Sequence, residues 1–216
     1  MPTTRFLVML AAFATSTVSS LAAPAGEFPF ETHADFFSVE TKQPVRIDPQ
    51  VFVPDPAAPA AAGPQGIKHA ASFRPAKVET DPAGTVVSNA DGKSLGFTLG
   101  TWLGATGQVT IARAPSGSGE TVTARFHGLI PTAEYSLFEN HFDQTPVGFT
   151  PLDGKGTANS FKSDAKGDGE VTVKLTDSMT HANAVLLVYH SDGQTHGEAR
   201  GEIGVVAHHQ LIYRMP

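Results

Sequence analysis

Seven of the nine histidines lie between residues 127 and 209: His127, His141, His181, His190, His196, His208 and His209. Imidazole is the commonest protein ligand for copper and zinc. The chain has no cysteine, so imidazole is its main soft donor. The densest group is Tyr189-His-Ser-Asp-Gly-Gln-Thr-His-Gly-Glu198, which brings His190, Asp192, His196 and Glu198 into one polar turn after an apolar strand. Two imidazoles and a carboxylate make a copper or zinc donor set, and loops held by a rigid sheet are where such sets sit. His208 and His127 are the further candidates to complete the set. The competing reading is a hydrophilic hairpin loop whose histidines bond backbone groups. Both readings stand at this point.

Strand geometry divides the histidines. If 184–190 and 202–212 pair as a hairpin, His190 lies opposite about Glu202 and His208 opposite about Ala184. At ~3.4 Å per residue the ends of that hairpin are roughly 20 Å apart, so the seven cannot share one site. The expected groups are His190 with His196, and His181 with His208 or His209. Neighbours on a strand point to opposite faces, so His208 and His209 do not serve one site together. A second hairpin, 121–129 with 134–142, would separate His127 from His141 by roughly 15 Å. His33 and His69 fall in a proline-rich stretch and are set aside.

Catalytic patterns are absent. His190-Ser191-Asp192 has the residue types of a triad, but consecutive residues cannot form one with each other, and no Gly-x-Ser-x-Gly elbow exists. Asp164-Ala-Lys-Gly-Asp-Gly-Glu170 has the outline of a calcium loop. Lys166 occupies a ligand position there and Leu175 replaces the bidentate acid, so it reads as a turn. There is no phosphate-binding glycine loop and no dinucleotide fingerprint. A binding protein, more than an enzyme, is the expectation.

The elements that must position these side chains begin near residue 86. Four Asp-Gly pairs, at 91–92, 153–154, 168–169 and 192–193, mark turns. Between them lie runs that alternate or are β-branched: 95–103, 108–112, 121–129, 134–142, 170–175, 184–190 and 202–212. Seven such runs predict an all-β fold, a single antiparallel β-sandwich over 86–216, immunoglobulin- or fibronectin-like or a related Greek key. Ala184–Tyr189 is apolar on both faces and reads as the central strand. In 95–103 the alternation puts Leu95, Phe97, Leu99 and Leu103 inward, leaving a flat Gly/Trp face around Trp102, the only tryptophan. That face is either a docking surface or is covered by the N-terminal arm. It carries the alternative function, a metal-free binding or structural module.

Gly128-Leu-Ile-Pro-Thr-Ala-Glu-Tyr135 resembles the turn and strand of fibronectin type III modules, where Gly-Leu-x-Pro precedes a strand with a core tyrosine. The same turn occurs in copper–zinc superoxide dismutases, and Val188-Tyr-His190 resembles their late histidine-bearing strand. The positions matching that family's paired copper ligands are Leu137 and Glu139, and its disulfide has no cysteines here. The resemblance therefore implies a β-sandwich and does not imply dismutase activity.

The start of the chain has the pattern of a secretory signal. Arg5 precedes an apolar stretch from Phe6 to Ala14, a small polar run follows, and Ser20-Leu21-Ala22 offers a cleavage site. Residues 1–22 are read as a signal peptide, with no lipoprotein cysteine after it, and the protein as exported, periplasmic or secreted. Residues 23–85 are read as a Pro/Ala-rich arm or linker, with eight of the sixteen prolines between 42 and 85. Its apolar groups either dock on the main domain or are disordered. A formal net charge of -6 disfavours nucleic acid as a partner, and no later segment reads as an integral membrane span.

Overall fold

The computed structural model describes residues 26–113 and 119–216. The signal segment read at residues 1–22 lies outside the described residues. What is described is mostly β, in several antiparallel sheets.

One four-stranded sheet runs Glu27–Pro29, Thr106–Arg113, Glu120–His127, Gly169–Lys174. A second, six-stranded sheet runs Gly148–Pro151, Glu134–His141, Asn183–His190, Ala207–Arg214, Glu31–Thr32, with Ser160–Lys162 also paired to Glu134–His141. A third runs Phe73–Lys77, Ile47–Pro54, Val86–Ser88, Ser94–Thr98, and a short pair joins Ala61–Ala62 to Lys68–His69. Alternation along the strands sends Val122, Ala124 and Phe126 from the first sheet, Leu137, Leu187 and Leu211 from the second, and Val51 and Val87 from the third into one core. Asn183–His190 is buried at every residue, as an apolar run on both faces requires.

A smaller apolar cluster lies on the opposite face of the six-stranded sheet. Phe138, Ala184, Leu186, Val188, Ala207 and Ile212 pack there with Phe36. Phe36 comes from the helix His33–Glu40, which Thr32 caps by accepting from the Asp35 backbone N–H at 3.1 Å.

Three sequence expectations are corrected. The runs 121–129 and 134–142 do not form a hairpin: Glu120–His127 belongs to the first sheet and Glu134–His141 to the second. Gly128–Ala133 is a crossover between sheets, because Tyr135 must enter the common core. The run 95–103 is a strand only to Thr98; a helical turn, Leu99–Leu103, follows, capped by the Thr98 side chain. That turn swings Trp102 inward, to 2% exposure, where its Nε1 donates to Asp48 Oδ2 at 2.7 Å. The flat Gly/Trp face is therefore not a surface of the molecule. Finally, the hairpin register shifts: His190 pairs with Ala207, and Tyr189 with His208. Residues 202–206 form a turn, which moves His208 to the loop end of the hairpin.

The apolar groups of 26–85 dock. Phe30 is nearly buried, and Val51, Phe52 and Val53 are buried in the strand Ile47–Pro54. Pro54 ends its strand, Pro49 falls within that strand's register irregularity, and Pro75 lies in the edge strand Phe73–Lys77, places where a missing N–H is tolerated.

Candidate functional site: a histidine row on the outer face of the six-stranded sheet

By alternation, Ser136 and Asn140 share the outer face with Phe138, His190 shares it with Val188, and His209 with Ala207. A register irregularity between Leu187 and Val188 keeps His209 outward while Leu211 still points into the common core. His208 faces inward, its ring 6.3 Å from Trp102 and 5.9 Å from Tyr189. His208 and His209 thus serve opposite faces, as neighbours on a strand must.

At the loop end, His190 and His196 lie with ring centroids 5.4 Å apart. His190 Nε2 bonds Ser136 Oγ at 2.8 Å, while His190 Nδ1 is buried without a partner. His196 Nε2 lies 3.1 Å from Asp192 Oδ2, yet the pair is not aligned as a hydrogen bond, and that nitrogen too is buried and unpartnered. Burial pushes the His190 imidazole down to about 4, with the neighbouring His196 acting in the same direction. Burial likewise lowers His208 to about 4.

The other candidates of the donor set face solvent or make contacts of their own. Glu198 is exposed. His208, on the inner face, bonds the Gln50 carbonyl through Nδ1 at 3.0 Å and reaches Ser191 Oγ at 3.3 Å. His127 is exposed on the four-stranded sheet and pairs with Asp168 at 2.8 Å. His181 is exposed, and His141 bonds Thr150 at 2.8 Å. Among the described residues, no three His, Asp or Glu side chains converge as a ready metal-ligand group.

The second part of the row was missed in the sequence. His33 Nε2 lies 3.4 Å from His209 Nδ1, and Arg200 Nη1 lies 3.3 Å from His209 Nε2. The Arg200 guanidinium stacks 3.3 Å over the Phe149 ring. Burial lowers Arg200 to about 10 and His33 to about 3, and holds His209 well below the usual imidazole range. The available signal was Thr32-x-x-Asp35, a helix-start pattern that places His33 at a fixed first turn. Nothing in the sequence pairs His33 with His209, 176 residues away.

One backbone contact fixes the loop between the two parts. Gly156 has φ +68, and a Cβ there would collide with the Gly197 carbonyl group. Asp153 holds the Gly156 turn: although burial pushes its carboxyl up, backbone N–H groups of residues 155–158 hold it down to about 2. Compared with known proteins, the chain matches no protein-family model, no curated protein and no solved structure.

Proposed function

We propose that this is an exported β-sandwich protein that binds a transition-metal ion, copper or zinc, through His190 and His196 with Asp192 beside them. The observation that carries the reading is the pair of buried ring nitrogens, His190 Nδ1 and His196 Nε2, left without partners in neighbouring rings. A buried polar atom without a partner costs about 1–3 kcal/mol, so one in each of two neighbouring rings favours a bound third body. The 3.1 Å separation of His196 Nε2 and Asp192 Oδ2, without a hydrogen bond, supports it. Two donors on one tetrahedral ion, with bonds of about 2.0–2.1 Å, lie roughly 3.3 Å apart. The bond from Ser136 to His190 Nε2 orients the ring, as an outer partner does for a ligating imidazole.

For the finer fold, support comes from Tyr135. It is fully buried, and its hydroxyl accepts from the Ile130 backbone N–H at 2.9 Å, just before the strand that begins at Glu134. A tyrosine bonding back across a sheet-to-sheet corner is a device of immunoglobulin- and fibronectin-like sandwiches.

Protein purified without a histidine tag should carry copper or zinc near one ion per chain on elemental analysis. His190→Ala and His196→Ala should each weaken binding at least tenfold while Trp102 fluorescence stays native. Absence of stoichiometric metal after loading, or affinity unmoved by both substitutions, overturns the reading and leaves a metal-free binding module.

A further inference from the structure

Gly201 lies against an imidazole of the histidine row. A Cβ on its backbone would stand 3.0 Å from His196 Cδ2, 3.2 Å from His196 Nε2 and 3.0 Å from Val206 Cγ2. Those two ring atoms therefore have room beside them because residue 201 carries no side chain. Asp192 approaches the same nitrogen from its own turn. Its Oδ1 accepts from the Gln194 backbone N–H at 3.2 Å, while Oδ2 lies 3.1 Å from His196 Nε2.

An ion bonded to His196 Nε2 stands about 2.0–2.1 Å from that nitrogen, in the plane of the ring. The two ring distances place the missing carbon to the side of Nε2, at about 70° from the Nε2–Cδ2 bond. From there it is roughly 3–4 Å from the ion, whatever its height above the ring plane. A methyl group at that point presses on the ion, or on the ligand that completes a tetrahedron begun by His190, His196 and Asp192.

Gly201 also has φ +84, a conformation that favours glycine whatever lies nearby. Gly193, in the same loop, separates the two effects: its φ is +73, and no atom lies within 4 Å of its Cβ position. Backbone strain is common to both glycines, whereas of the two only Gly201 borders His196. We propose that Gly201 is a positioning residue of the metal site, its missing side chain keeping free the space beside His196 Nε2 that the ion and its remaining ligand take. The proposal rests on the reading of His190, His196 and Asp192 as metal donors.

The test titrates the full chain with zinc(II), and with cobalt(II) as the spectroscopic probe, in the wild type, Gly201→Ala and Gly193→Ala. Gly201→Ala should weaken zinc by about tenfold or more and shift or abolish the visible ligand-field bands of bound cobalt. Gly193→Ala carries the same strain, and should change zinc affinity less than about threefold with a native cobalt spectrum. Gly201→Asn places the same Cβ beside His196 on a residue that tolerates positive φ, and should weaken zinc as Gly201→Ala does. Near-ultraviolet circular dichroism verifies that each variant is folded, and urea unfolding of the metal-free chains measures the strain separately. A wild type that takes up neither ion overturns the metal reading, and this proposal with it. Where the wild type binds, three results overturn this proposal alone: equal losses in Gly201→Ala and Gly193→Ala, zinc affinity unmoved in Gly201→Asn, or a cobalt spectrum native in both Gly201 variants.

Discussion

The Asp48 carboxyl is the buried group with the most direct reporter. It accepts from Trp102 Nε1, and Oδ1 accepts from the backbone N–H groups of Gln50 and Val51 at 2.9 and 3.1 Å. Burial outweighs these bonds and pushes it from 3.8 up to about 6. Because Trp102 is the only tryptophan, its emission should step as pH crosses roughly 6, and Asp48→Asn should remove the step. The same shift carries a sign for stability. Between 3.8 and about 6 the folded chain holds this proton more tightly than the unfolded chain, so the contribution is full below 3.8 and declines as pH rises. The buried histidines His33 and His208 act oppositely: the unfolded chain takes their protons first, so stability is lost as pH falls below about 6.5. Asp48→Asn should therefore steepen the net loss of stability on going from pH 6 to pH 4, measured by urea unfolding. An Asp48→Asn chain whose loss over that range equals or falls below the wild type's would refute the assignment.

At the scale of elements, the loop 191–206 is held by its neighbour as much as by its own turns. The close approach of Gly156 to Gly197 leaves no room for a side chain, and φ +68 strains any residue but glycine. Gly156→Ala should push the 196–200 turn away from the sheet and separate His196 from His190. Metal affinity should fall severalfold with a stability cost of about 1–2 kcal/mol, since the Asp153 turn is exposed to relaxation on one side. Metal affinity equal to the wild type's would show that the two loops are not coupled. The loop's existence was legible from Asp192-Gly193, and its polar content from residue types. Its length was not: 202–212 alternates well enough to read as strand from its first residue, but Glu202 instead accepts from the backbone N–H groups of residues 205–207 through its own carbonyl. A local hydrogen-bonded turn outcompeted strand pairing, and the register of every histidine on that strand moved with it.

Over the whole molecule, the N-terminal segment is part of the structure that carries the site. Glu27–Pro29 pairs with Thr106–Arg113, Glu31–Thr32 with Ala207–Arg214, and Gln50 bonds His208 and His209 through its carbonyl and its side chain. Burying Phe30, Val51, Phe52 and Val53 is worth about 1.5–3 kcal/mol each, comparable in sum with the stability of an ordinary domain. A chain of residues 86–216 alone should therefore lack cooperative thermal unfolding and bind a hydrophobic dye. A sharp transition matching that of the longer chain would refute this.

Composition and alternation by themselves determined that the chain is mostly antiparallel β, that Asn183–His190 is buried on both faces, that His208 and His209 face apart, and that the 190–198 loop gathers imidazoles. These are consequences of period two, of turn residues and of apolar content, all local. Only the tertiary structure decided that Trp102 turns inward onto Asp48, and that His127 lies on a different sheet from His190, paired with Asp168. It alone put His33 and Arg200 on either side of His209. Those outcomes depend on which distant strands pair and in what register. That is set by the burial of many side chains at once, and no short stretch of sequence carries it.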